Sequence, residues 1–499
     1  MKNSRIIRLV RLLNPAEIRK FVQFVESPFF NQNEKLQKLA RIIHEASPDF
    51  GEATLEKERV FRLIYGKSQT FDEQKIHDLI SQLHRLFEKF LSMQEFEKDE
   101  VAMKRYLMYA LSNRNENDHY NRIYKSATKK LVQKKKEYPK YHLQEFLLEE
   151  HLVEVALKNG DYKASVDSFN SLVTSLDTFY LTERLKYSVE KLRRDNSPSK
   201  EETDETTTFF SDLLDKVDFT RGKSPIVSTY YQLYKLQADF NDDTHFNDLL
   251  NLLSTHEEEL STYSARAIYY VYVQAQNYCV KKINSGKREY IQHLFSIYLI
   301  MLDKKLLIKN GYMDHHVYKN IAANGLFLKK YDWTYEFLNS YKRKIHPDQQ
   351  ENAYTYNMAK YHYEKEEYRQ SMKLIQQVDF PNWRYHLGAK FMLLRIYFEL
   401  GDEDGLSYLV QALKVYLHRH KEIPKYQSKI HTNMMRFTQK MLQLKQGSSY
   451  LKKTEISSRL LKLKDKIAST QGIAYESWLK LKLNELLELN APETVSSRA

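Results

Sequence analysis

Three stretches of this chain, "GLFLKKYDWTYEF", "KYHYEKEEYRQSM" and "RIYFELGDEDGLS", fall into register when shifted by 35 residues. Asp332, Glu367 and Asp402 then coincide, as do Phe327, His362 and Tyr397, and also Trp333, Tyr368 and Glu403. A period of about 34 residues that carries two helices and one tight turn predicts an array of helix hairpins, each burying its apolar face only against its neighbours. The composition agrees with long helices. Only 12 Gly and 10 Pro stand among 499 residues, where ordinary usage is about 7% and 5%, so tight turns are scarce. The expected class is all-α, an N-terminal helical domain followed by an α-solenoid of antiparallel helix hairpins.

Local signals divide the chain further. Asn14 can cap a helix whose first residue is Pro15, and Glu17 stands where a capping box places a carboxylate. That helix is predicted to end at Ser27 and Pro28. A second spans Glu34 to Ala46, and a third Leu55 to Tyr65 with Gly66 as its C-cap. A fourth shows Ile76, Leu79, Ile80, Leu83, Phe87, Phe90 and Leu91 at helical spacing. Residues 1–100 are therefore expected to form one N-terminal domain. Helical hairpins follow over 101–192, the polar stretch "RRDNSPSKEETDETTT" marks a linker at 193–223, and the repeat array occupies 224–446. C-terminal helices at 447–490 and a disordered tail at 491–499 complete the division.

The stretch "KKYDWTYEFLNSYKRK", Lys329 to Lys344, combines aromatic rings with cations as a nucleic-acid surface would. Trp333, Phe337 and Tyr341 nevertheless stand at i, i+4 and i+8, one stripe of a helix opening at the Asp332 turn, which predicts interhelix packing. Its lysines alone stay open to binding.

"LLRIYFELGD" and "LVEVALKNGDY" resemble tetratricopeptide repeats, whose pattern places an aromatic before a Gly-Asp turn, an aromatic opening the second helix, then a small and a large residue. The corresponding residues are Tyr397, Gly401 and Asp402 in one unit, and Gly160, Asp161, Tyr162, Ser165 and Phe169 in another. The likeness covers residues 145–180 and 265–420. It departs from the pattern at Glu336 and Leu406, where a small residue is expected, and Pro381 comes early. "ESPFFN", "YKNIAANGLFLKKYDW" and "LLRIYFEL" also resemble a group of bacterial proteins of about 500 residues, a likeness that implies no activity.

Catalytic signatures are lacking from the sequence. No G-x-G stands among the glycines, and "SGKRE" at Gly286 is a Gly-Lys pair in a turn without a preceding strand. No G-x-S-x-G elbow and no H-E-x-x-H motif is found. His315 and His316, being adjacent, are expected to point about 100° apart on a helix. Glu366 and Glu367 read as a solvated turn. No catalytic, cofactor-binding or metal-binding residues are expected, and the chain reads as non-enzymatic. A single cysteine, Cys279, excludes an internal disulfide and fits a reducing compartment. The basic N-terminus has Arg8 and Arg11 inside any apolar run, so no secretory signal is read there. The uncharged stretch "AIYYVYVQAQNYCV" is too short to span a bilayer and predicts a buried helix. These points suggest a cytoplasmic protein with no transmembrane segment.

Two functional classes remain. In tetratricopeptide arrays the concave surface comes from set positions of each first helix, and the alignment places Lys360, Tyr363 and Glu364 there in one unit and Arg395, Phe398 and Glu399 in the next. The mixture suits a protein or peptide partner, with Lys360 and Arg395 capturing an acidic or carboxylate group. Tyr363 and Phe398 are as readily explained by packing between hairpins. The alternative is nucleic-acid binding or regulation, from the formal charge of +13, the N-terminal domain and the lysines from Lys129 to Lys140. Lysines on an outer helical face are more often simply solvated, and the same holds for "LKKTEISSRLLKLKDK". The basic segment Arg5 to Leu13 could instead rest on an anionic membrane or dock on the helix that follows.

Overall fold

The computed structural model describes residues 4–51, 53–133, 140–160, 162–195, 224–378, 383–447 and 451–490. Among them are 23 α-helices and one two-stranded hairpin, so the fold is all-α. The chain forms two compact units, residues 1–267 and 268–499.

The first unit begins with α1 (Arg5–Val10), α2 (Pro15–Glu26), α3 (Glu34–Glu45), α4 (Lys57–Tyr65) and α5 (Glu73–Lys98). The capping box forms as expected: the Asn14 side chain accepts from the Ala16 and Glu17 amides at 3.0 Å, while Glu17 accepts from the Asn14 amide at 2.8 Å. Gly66 ends α4 at φ +94°, a conformation open to glycine. From α5, Ile76, Leu79, Leu83, Phe87 and Phe90 enter the core, and Phe21 meets Phe87 edge-on at 5.0 Å. Ile6, Ile7 and Val10 are buried in the same core, so the apolar face of α1 is committed to docking and is not free for a membrane.

The unit continues with α6 (Glu100–Ser112), α7 (Asn117–Gln133), α8 (Lys140–Lys158), α9 (Tyr162–Asp195), α10 (Pro225–Ala238), α11 (Thr244–Thr255) and α12 (Glu257–Leu260). Gly160 takes φ +74° between α8 and α9. Yet α9 runs 34 residues, and Phe169, matched to the large residue of the repeat pattern, is 41% exposed. Asp161, the side chains of Tyr162 and Ser165, Pro381, most of the lysine stretch before Lys140, nearly all of the 193–223 linker and the 491–499 tail lie outside the described residues.

The second unit holds most of α13 (Ala265–Asn284), then α14 (Tyr290–Asp303), β1 (Ile308–Lys309) and β2 (Tyr312–Met313). Asn310 and Gly311, both at positive φ, close that hairpin, a turn the helical reading did not anticipate. Within α13, Val271, Tyr272, Ala275, Tyr278 and Cys279 are buried, and among the described residues no helix is long and apolar enough to cross a membrane.

Six helices then alternate: α15 (His315–Phe327), α16 (Tyr331–Tyr341), α17 (Pro347–Glu364), α18 (Tyr368–Ile375), α19 (Trp383–Leu400) and α20 (Glu403–Arg419). Each pair, α15 with α16, α17 with α18 and α19 with α20, packs together, and α15, α17 and α19 also neighbour one another in turn. One turn joins every pair. Lys329, Glu366 and Gly401 sit in the left-handed region at φ 54°, 61° and 72°. The following amides of Lys330, Glu367 and Asp402 donate to the carbonyls of Gly325, His362 and Tyr397, each at 2.9 Å, the Schellman closure of a helix end.

This turn corrects the register. The second helices open at Tyr331, Tyr368 and Glu403, so the intervals are 37 and then 35 residues. Glu367 therefore corresponds to Lys330 rather than Asp332, and Tyr368 to Tyr331 rather than Trp333. The stripe itself packs as expected: Trp333 stacks on Phe337 at 5.3 Å, Phe337 meets Tyr341 at 5.0 Å, and Phe295 of α14 covers Trp333.

The chain closes with α21 (Lys425–Gln446), α22 (Lys453–Ala468) and α23 (Glu476–Leu489). One hydrophobic core runs from Tyr356 to Leu486, so residues beyond 447 share it with the hairpins instead of forming a separate layer. In α22, Ile456, Leu460, Leu463 and Ile467 are buried while Lys462, Lys464 and Lys466 face solvent, as a solvated basic face requires.

Candidate partner-binding face

α23 runs alongside α19. Tyr475, just ahead of α23, lies near Phe391; Trp478 meets Phe398 edge-on at 5.3 Å; and Lys482 Nζ is 3.2 Å from a Glu399 carboxylate oxygen. Phe398 is 2% exposed and Glu399 is largely enclosed. Both were placed on the partner surface by the repeat alignment. The structure withdraws them, because a helix from farther along the chain covers that end of α19. Burial lowers the Lys482 pKa, but the hydrogen bond to Glu485 and the charge of Glu399 outweigh it and raise it, while the buried Glu399 Oε1 has the ion pair and no hydrogen bond.

Lys360, Tyr363, Glu364 and Arg395 are brought together. The Arg395 guanidinium lies 4.7 Å from the Tyr363 ring centre and 4.6 Å from that of Tyr475, so it is held between two aromatic rings. Its Nε donates to the Phe391 carbonyl at 3.3 Å. Tyr363 is 8% exposed and burial pushes its hydroxyl up to about 12, so it is a packing residue whose ring supports the arginine. Tyr475, at 38% exposure, forms the open side.

Lys360 is the most perturbed cation of the face. It is half-buried, and burial holds its pKa down to about 8. The positive charges of Arg395 and Lys319 add to the depression, and only Glu364 opposes it. Lys319, from α15, stands 4.6 Å over the Tyr385 ring, and burial lowers its pKa too. Three successive first helices thus each contribute one cation to a tyrosine-lined face. Among the described residues no carboxylate lies within ion-pairing distance of Lys319, Lys360 or Arg395.

The repeat alignment missed Lys319 and Tyr475. With the register corrected to 37 residues, Lys319 takes the place of Tyr356, one helical turn before Lys360. Tyr475 carries no local signal at all. His315 and His316 also differ from expectation: their rings lie 4.2 Å apart and both approach Tyr385. Burial, with the neighbouring His316, lowers the His315 pKa.

Other recesses are less organised. A groove of about 670 Å³ between α19 and α20 is bordered by His386, Lys390, Tyr397, Tyr408 and Tyr416, with His386 stacked on Tyr416 at 4.4 Å. In the first unit a cavity of about 410 Å³ is lined by His142, Glu145, Glu149 and hydroxyl groups. His142 contacts Glu145 and Tyr263, each at 3.2 Å, and Glu149 accepts from Tyr124 at 2.9 Å. Among the described residues, one cluster of metal-ligand type, Asp239, Asp242 and His245, lies in a turn whose carboxylates already accept from the Asn241, Asp242 and Thr244 amides.

Neither a protein-family model nor a curated protein matches the chain.

Proposed function

We propose that this protein is a non-enzymatic helical-repeat scaffold of tetratricopeptide-like kind, which works in the cytoplasm by binding an acidic segment of a protein partner on the inner face of its second unit. The observation that carries the reading is the set Lys319, Lys360 and Arg395, three cations on α15, α17 and α19 without a carboxylate at ion-pairing distance among the described residues, with Glu364 alone opposing the positive field at Lys360. Holding a cation away from water without a partner costs free energy, and a bound anion repays that cost. The surrounding tyrosines supply rigid contact area for the rest of the segment.

Affinity purification from the native host tests the proposal, comparing wild type with Lys360→Glu plus Arg395→Glu. The partner should be lost from the double variant while helicity is kept; an unchanged set of partners refutes the assigned face. Nucleic-acid binding is the competing reading. It requires gel-shift retention that falls roughly a thousandfold or more between about 50 and 200 mM salt for six or more phosphate contacts. Retention that survives the double variant would favour it.

A further inference from the structure

We infer that the cationic face made by Lys319, Lys360 and Arg395 is built for a phosphomonoester dianion, such as a phosphorylated side chain, in preference to a single carboxylate. This rests on the partner-binding reading above and narrows its ligand.

Charge is the first argument. Lys360 has Arg395 and Lys319 as positive neighbours and Glu364 as the one negative charge acting on it, so these four groups together carry two positive charges in excess. A carboxylate leaves one of them. A phosphomonoester near neutral pH carries about −1.5 to −2 and matches the excess.

Donor geometry is the second. The cations come from three different helices, and Arg395 and Lys319 are both close enough to Lys360 to act on its charge. A carboxylate offers two oxygens in one plane, whereas a phosphomonoester offers three around a tetrahedral centre. The guanidinium is especially suited. With Nε given to Phe391 and both faces covered by Tyr363 and Tyr475, its terminal N–H groups are fixed in one plane and meet no acceptor among the described residues. That fork fits two oxygens of one phosphoryl group.

Desolvation is the third. Lys360 and Lys319 both lie where burial disfavours their charged forms. A dianion bound near them offsets about twice the positive field that a monoanion offsets at the same distance.

Isothermal titration of the full chain at about pH 7.5 and constant ionic strength decides the matter, with N-acetylphosphoserine amide, glycerol 1-phosphate and acetate as probes. The phosphomonoesters should bind at least about tenfold more tightly than acetate, and that preference should vanish in Lys319→Gln and in Arg395→Gln. The first two probes separate the sources: tighter binding of the phosphoserine derivative points to a modified protein segment, tighter binding of glycerol phosphate to a small phosphate ester, and either supports the inference. Acetate binding as tightly as the phosphomonoesters overturns it. So does a phosphomonoester preference that survives both substitutions in variants of wild-type helicity. If no probe binds while Lys360→Glu plus Arg395→Glu still loses the partner, the dianion inference fails and the scaffold stands.

Discussion

The five helices at the start of the chain and the hairpins from α15 to α20 are both built from amphipathic helices, but they place their cations differently. In the first region Arg41 pairs with Glu26, Lys57 with Glu73 and Arg62 with Glu58, all at the water-exposed surface, and the core beneath them is hydrocarbon and aromatic. In the second, Lys319 and Arg395 lie against tyrosine rings, and Lys360 has two positive neighbours and one carboxylate acting on it. The first arrangement is what folding alone favours. The second works against folding, and on the reading proposed above it is kept for a ligand.

The sharpest contrast should come from deleting the best-packed group of one region and the least satisfied group of the other. Phe87→Ala empties the edge-on contact with Phe21 and should lower stability by about 3–5 kcal/mol in a denaturant melt. Lys360→Met keeps the volume but removes a desolvated charge, and should raise stability by about 1–3 kcal/mol while abolishing partner capture. A loss of stability in Lys360→Met would mean that its charge is satisfied and that the two regions do not differ in kind.

The pH dependence tests the same point. The Lys360 pKa in the folded chain, about 8, lies below the ordinary lysine value, so between the two the unfolded chain binds more protons. Its contribution to stability therefore rises with pH across that window, the reverse of a lysine held by a carboxylate. Carbon-13 labelled lysine followed by NMR should show one resonance titrating near that value, moving upward in Arg395→Gln and in Lys319→Gln because each removes a neighbouring positive charge. A Lys360 resonance at the ordinary lysine position would contradict the desolvated site.

The smallest effects belong to the turns. Lys329 and Glu366 hold left-handed backbone that glycine adopts freely, so Lys329→Gly and Glu366→Gly should each stabilise by about 0.5–1 kcal/mol, and Gly401→Ala should destabilise by a similar amount. Opposite signs in the thermal midpoints would confirm that one turn serves all three hairpins.

Those turns also explain what could be read in advance. The capping box at Asn14 and Glu17 and the stripe from Ile76 to Phe90 are local patterns, and both appear where the sequence places them. At Gly401 and Asp402 the turn carries its glycine, and the last hairpin is read correctly. At Lys329 and Glu366 the same backbone is made by charged residues, which leaves no compositional trace, and the alignment slips by two residues at the first hairpin. The slip hid Lys319. Tyr475 and Trp478 were hidden for another reason: their role depends on α23 lying beside α19, a contact between distant parts of the chain that no periodicity encodes. Of the residues assigned to the face, Lys360, Glu364 and Arg395 remain at it, Tyr363 supports it from below, and Phe398 and Glu399 are covered.

The sandwich of Arg395 between Tyr363 and Tyr475 has a consequence in time. The ribosome delivers α17 and α19 well before α23, so a nascent chain displays Phe398 and Glu399 to any passing protein until Trp478 and Lys482 arrive to cover them. The cover over that end of α19 is therefore the last feature this unit acquires during its synthesis, and a prematurely terminated chain would present a greasier face than the finished one.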